Sequence, residues 1–140
     1  MEFTDLPTWV LSSAAVRSRQ MLQAHLGASG ANGYQFRCLS VLADRDGLSQ
    51  TELGAAAALD PRDVTHTVRA LEERGAVSRV KDPSHGRRQL VTLTAAGREE
   101  VSRLGDVMAE VQDRVFAGFT VAERATLLEL LDRVGRAPGH

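Results

Sequence analysis

A single cysteine, Cys38, is all the sulfhydryl chemistry in these 140 residues, so no intrachain disulfide can form and a reducing, cytoplasmic setting is expected. No apolar run approaches the roughly 18 to 20 residues needed to cross a bilayer. The start, MEFTDLPTWV, lacks a basic segment leading into an apolar one, so no signal peptide and no membrane partner are expected. The histidines, His25, His66, His85 and His140, show neither H-x-x-x-H nor Cys/His spacing, so no metal site is expected. A Ser/His/Asp constellation, a P-loop and a dinucleotide fingerprint are also missing, which leaves catalysis and a cofactor without support. There are no repeats, and the only low-complexity stretch is a short alanine run.

The composition is that of one globular domain, with 43% hydrophobic and 25% charged residues. The net charge of −1 gives no global hint of a polyanionic partner, but its distribution does. Residues 1–61 carry four Arg against six acids (net −2), and residues 91–140 carry six Arg against eight acids (net −2). Residues 62–90 carry six Arg and Lys81 against four acids, net +3, and are the only positive segment.

The helix signals are strong. A first helix is expected from about Pro7 to Leu26, broken by GASGANG (residues 27–33), and a second from about Tyr34 to Ala43 with Phe36, Leu39 and Leu42 on one face. Ser49 and Glu52 have the spacing of a capping box, in which each side chain caps the other's backbone N–H, and so start a short third helix. Asp60-Pro61 starts a fourth, because Asp is a good N-cap and Pro suits the first helical position. Val64, Val68 and Leu71 give that helix one apolar stripe, and Gly75 stands where a left-handed terminating residue belongs. Two strand-like runs follow, Ala76–Val80 and Gln89–Thr94, joined by a loop from Asp82 to Arg88 with a glycine tip. Thr94 is placed to cap a fifth helix reaching about Phe116. Thr120 and Glu123 form a second capping box, for a last helix from Val121 to about Val134.

A short helix, a tight turn and a second amphipathic helix is a helix-turn-helix pattern, whose second helix enters the DNA major groove. A hairpin directly after it makes a winged helix. The expected fold is therefore mainly α with a small two-stranded β-wing. The stretch LSQTELGAAAALDPRDVTHTVRALEERGAVSRVKDPSHGRRQLVTLTAAG, Leu48 to Gly97, resembles the winged helix-turn-helix core of the MarR (multiple antibiotic resistance regulator) family. It meets the pattern L-[ST]-Q-x-E-L-A…L-D-P-x-x-V-T…L-E-x-x-G-x-V-x-R…D-P-x-D-x-R…V-x-L-T-x-x-G at most positions. The resemblance implies a homodimeric transcriptional regulator, often a repressor, bound to a palindromic operator in double-stranded DNA. It further implies release by a small aromatic or anionic effector. One domain over residues 1–140 is expected, with a DNA-binding region at about 34–94 and dimerisation helices at about 7–26 and 95–135. Two departures stand out: His85 replaces the family's usual wing Asp, which orients the Arg two residues later, and Arg62, Asp63 and His66 replace commoner recognition-helix residues.

With the apolar stripe facing inward, Arg62, Asp63, Thr65, His66 and Arg69 are the candidate major-groove contacts. Arg forks onto guanine, Thr reaches a phosphate or a thymine methyl, and Asp63 accepts only from cytosine or orients Arg62. In the wing, Arg87 is assigned to a minor groove, whose negative potential attracts Arg, or to setting the wing's position. Arg88 and Lys81 are assigned to phosphates, with His85 beside them as a donor or, when protonated, a cation. Trp9, Arg17, Tyr34 and Arg37 are the candidate effector contacts, since an apolar wall with Arg suits an aromatic carboxylate. Two other readings remain open here. One is a winged-helix protein-interaction module that does not bind DNA; the other is a thiol-based peroxide sensor acting through Cys38, which a core position for that residue would oppose.

Overall fold

The computed structural model describes residues 1–136. After a 3-10 turn at Phe3–Asp5 come six helices and one hairpin: α1 (Pro7–Ala28), α2 (Gly33–Asp44), α3 (Gln50–Ala56), α4 (Pro61–Glu73), β1 (Val77–Asp82), β2 (His85–Leu93), α5 (Ala95–Val115) and α6 (Val121–Arg133). Most starts are set by the local chemistry read above. Both capping boxes form, Ser49 with Glu52 and Thr120 with Glu123. The Asp60 carboxylate accepts from the Asp63 N–H at 2.7 Å with Pro61 at the first helical position, and Thr94 Oγ1 accepts from the Gly97 N–H at 3.0 Å. Gly75 closes α4 with φ +77°, a conformation in which a Cβ would be strained.

The bonds to Ser49 and Thr120 hold the Glu52 and Glu123 carboxyls below the ordinary value of 4.5. Their contribution to stability is therefore full above that value and is lost as the pH falls through the lowered one.

Two boundaries differ from expectation. Helix α1 continues through Gly27 to Ala28, and only residues 29–32 form the break, because Asn32 caps α2 by accepting from the Gln35 N–H at 2.9 Å. The wing loop is much shorter than the Asp82–Arg88 span read from sequence. Asp82 Oδ1 accepts from the Ser84 N–H at 2.8 Å, which closes a turn at Pro83-Ser84 and pairs Asp82 directly with His85. Gly86 is therefore not the tip. The next ladder pair is Lys81 with Gln89, so Gly86, Arg87 and Arg88 have no partner on β1 and form a bulge in the ribbon.

The core gathers where helix-turn-helix and ribbon meet. Leu39 and Leu42 of α2, Leu53 of α3, Val68 and Leu71 of α4, Val91 of β2 and Leu104 of α5 are all buried. The ribbon's base is pinned to the α2–α3 connection by paired backbone bonds between Leu48 and Val91, at 3.2 and 2.7 Å. The ends of the chain are covered far less. The N-terminal half of α1 exposes Trp9, Val10, Leu11 and Val16, and α6 buries none of its described residues while exposing Leu128, Leu130 and Leu131.

Candidate nucleic-acid interface and adjacent cleft

Burying Val64, Thr67, Val68 and Leu71 turns the other side of α4 outward. Arg62, His66 and Arg69 are exposed there and make no hydrogen bond or ion pair among the described residues, while Asp63 is half-buried. Thr65 is different. Its hydroxyl donates to the Pro61 carbonyl at 2.7 Å and accepts from Gln50 Nε2 at 2.7 Å, so its hydrogen is spent inside the protein. Gln50 Oε1 in turn accepts from Arg79 Nη2 at 3.1 Å, and Arg79 Nε lies 3.5 Å from Glu72. Gln50 thus ties α3 to both α4 and β1. Sequence reasoning passed over Gln50 and Arg79, although the glutamine stands at a defined position in the motif that carries the family resemblance.

In the ribbon, Lys81 and Arg87 are exposed and make no side-chain bond among the described residues, and His85 faces solvent opposite Asp82. Arg88 is not free. Its guanidinium pairs with Glu52 at the start of α3 and, at 3.4 Å, with Asp82. Nothing local in DPSHGRRQLVTLT announces the first of these partners, which lies 36 residues earlier in the chain.

A cleft of about 740 Å³ opens between α1, the start of α2 and α5, lined among others by Arg19, Leu22, Leu26, Tyr34, Arg37 and Met108. Two of the expected effector residues, Tyr34 and Arg37, line it, and Trp9 and Arg17 do not. Trp9 packs edge-on against Phe3, 4.8 Å between ring centroids. The Arg37 guanidinium lies 5.2 Å over the Tyr34 ring and donates to the Ala58 carbonyl at 3.2 Å. Ala58, in the turn between α3 and α4, holds φ +56°, so Arg37 links the cleft to a left-handed residue in the helix-turn-helix.

Cys38 is fully buried in α2. Desolvation pushes its thiol up to about 11, against a smaller lowering by Arg37, so almost no thiolate exists at neutral pH. It is expected to resist iodoacetamide in the native protein near neutral pH and to react readily in denaturant, as mass spectrometry would report. Fast native alkylation would contradict this. Among the described residues no group of His, Cys, Asp and Glu is arranged to hold a metal; His140 lies outside them.

A model of the MarR family matches residues 32–88, from the N-cap of α2 to the end of the wing bulge. The HTH-type transcriptional repressor Rv2887 of Mycobacterium tuberculosis is 33% identical over 117 residues, 84% of either chain. Its crystal structure, as a MarR family protein in complex with salicylic acid, superposes with a TM-score of 0.72 at 31% identity, covering 93% of this chain and 96% of that one. The chain belongs to the MarR family. Other solved structures superpose more closely. A probable transcriptional regulator from Pseudomonas aeruginosa does so with a TM-score of 0.83 at 29% identity, covering 95% of this chain and 99% of that one. BpsR of Bordetella bronchiseptica, whose DNA binding is regulated by 6-hydroxynicotinic acid, also gives 0.83, at 27% identity over 98% of each chain. In this MarR-family chain, α3 and α4 form the helix-turn-helix and β1 and β2 the wing.

Proposed function

We propose that the protein is a homodimeric repressor that reads a palindromic operator with Arg62, His66 and Arg69 of α4 and with Arg87 and Lys81 of the wing. Residues 34–94 serve as its DNA-binding region, with 7–26 and 95–135 as its dimerisation helices. The carrying observation is how exposed side chains are sorted along the chain. Between Tyr34 and Phe119 the one exposed large hydrophobic residue among those described is Val80, whereas Phe3, Leu6, Trp9, Val10, Leu128 and Leu131 cluster toward the ends. A surface of cations without apolar patches suits a phosphate backbone, and it disfavours a protein-interaction role for the winged helix. Unpartnered apolar helices at the ends suit a second copy of the chain. The Thr65 hydroxyl is left out of base reading because it is engaged with Gln50.

The test is selection of duplexes from a random-sequence library, followed by affinity measurement across a salt series. A palindromic consensus and a steep fall of affinity with salt are expected. Sequence-blind, weak binding would overturn the reading. Leu131→Asp, which puts a charge where the dimer would bury a side chain, is expected to yield a helical monomer by sedimentation and to lose most operator affinity. A stable dimer from that variant would remove α6 from the interface.

The cleft is assigned to an aromatic carboxylate, with Arg19 or Arg37 facing the carboxylate and Leu22, Leu26 and Met108 the ring. The salicylic acid held by Rv2887 and the 6-hydroxynicotinic acid that regulates BpsR support that class. Salicylate is expected to raise the thermal midpoint and to weaken operator binding. No effect at millimolar concentration would count against the assignment.

A further inference from the structure

The first turn of α3 touches both elements assigned to DNA. Gln50 holds α4 through Thr65 and β1 through Arg79, and two residues later Glu52 holds the wing through Arg88. We propose that Glu52 and Arg88 form a clamp that aims the wing, so that Arg88 is a positioning residue for Arg87 rather than a phosphate contact. This rests on the DNA-binding reading above.

The bulge is what makes a clamp necessary. Gly86, Arg87 and Arg88 have no ladder partner on β1, so the hydrogen bonds that stiffen the rest of the ribbon do not fix them. The Arg88 guanidinium supplies the missing tie, spanning Glu52 on the body and Asp82 within the wing. Two carboxylates on one guanidinium more than offset its charge, which makes it a poor phosphate contact while the pairs hold.

Ordinary exposed ion pairs contribute little, because two long side chains must be ordered to make one contact. Here half of that ordering is already done. Glu52 Oε1 accepts from the Ser49 N–H at 3.0 Å, and the Ser49 hydroxyl accepts from the Glu52 N–H at 3.2 Å, so the carboxylate is held in place by the helix cap. Those same bonds hold its carboxyl below the ordinary value. Arg88 is drawn onto α3, while Arg87 beside it is exposed and unpaired among the described residues. Because Gln50 fixes α4 from the same turn, recognition helix and wing share one reference point.

Two variants test the clamp. Glu52→Gln keeps the capping box, since glutamine serves at that position, but loses the charge that draws Arg88. Arg88→Gln removes the other partner. In the free protein, 15N relaxation is expected to report faster motion at Gly86, Arg87 and Arg88 in both variants, with α4 unchanged. A wing as ordered as in the wild type overturns the proposal whether or not DNA is bound.

The second readout uses the tightest duplex selected by the wild-type protein. Removing an acid near phosphates should strengthen binding on electrostatic grounds alone, whereas loss of the clamp should weaken it, by about fivefold for Glu52→Gln. Equal or tighter binding overturns the proposal. Arg88→Gln should weaken binding similarly with its salt slope unchanged, while a slope reduced as in Arg87→Gln would mark Arg88 as a phosphate contact and overturn it. If the wild type selects no duplex, the DNA-binding reading falls and the clamp is judged by wing order alone.

Discussion

Arg87→Ala is expected to lower operator affinity by about 100-fold while leaving the fold and the dimer intact. The size follows from symmetry, since each dimer carries two wings and loses two contacts worth roughly 1 to 3 kcal/mol apiece. The side chain is exposed and makes no bond to the protein among the described residues, so its loss breaks nothing inside. Its neighbour Arg88 does not substitute for it, being engaged with Glu52 and Asp82. If Arg87 lies over phosphates or in a narrow minor groove, the dependence of log affinity on log salt should also become shallower by about two per dimer. A fluorescence-anisotropy titration across a salt series measures both quantities. Affinity unchanged within twofold would remove Arg87 from the interface.

Gly97→Ala is expected to cost about 3 kcal/mol or more of stability, and so to lower the thermal midpoint by about 10 °C. Gly97 lies in the first turn of α5, where that helix starts beside β1. A Cβ on it would sit 2.0 Å from the Ala76 carbonyl oxygen, 3.0 Å from the carbonyl carbon and 3.2 Å from Leu93 Cδ2. Two of those atoms are backbone and cannot swing aside. The same carbonyl accepts from the Thr94 N–H at 3.1 Å, so moving it would disturb the residue that caps α5. Calorimetry or a circular-dichroism melt decides the matter. A midpoint within about 2 °C of wild type would mean that α5 can shift without penalty, contrary to the close-packing argument.

The wing shows why one part of this protein was legible and another was not. The strands and the turn residue Asp82 follow from local preference, but β2 resumes at His85, four residues sooner than a loop from Asp82 to Arg88 would allow. An Asp side chain bonding to the backbone two residues on is a tighter constraint than glycine's freedom. Assigning Arg88 to phosphate followed from its charge and its neighbour, and the carboxylate that engages it comes from another helix. Thr65 is similar: its place on the outer side of α4 was read from periodicity, but the Gln50 amide that occupies its hydroxyl belongs to α3. Of the four expected effector residues, Tyr34 and Arg37 line the cleft, whereas Trp9 lies against Phe3, beyond what helix spacing alone conveys.

What the sequence by itself determined here is much of what depends on atoms within about one helical turn. That covers both capping boxes, the Asp60-Pro61 start and Gly75 end of α4, the buried stripe of Val64, Val68 and Leu71, and hence the winged-helix order. Such features are set by backbone bonds between near neighbours, so residue type and spacing suffice to place them. Tertiary structure alone decided which exposed-looking polar groups are free. Among the described residues Arg62, Arg69 and Arg87 were left open, while Arg88, Arg79 and Thr65 were satisfied by partners that folding brings from other elements. The reason is that a charge or hydroxyl has no preferred partner until the fold supplies one at hydrogen-bonding distance, and that distance is not written in the spacing of the chain.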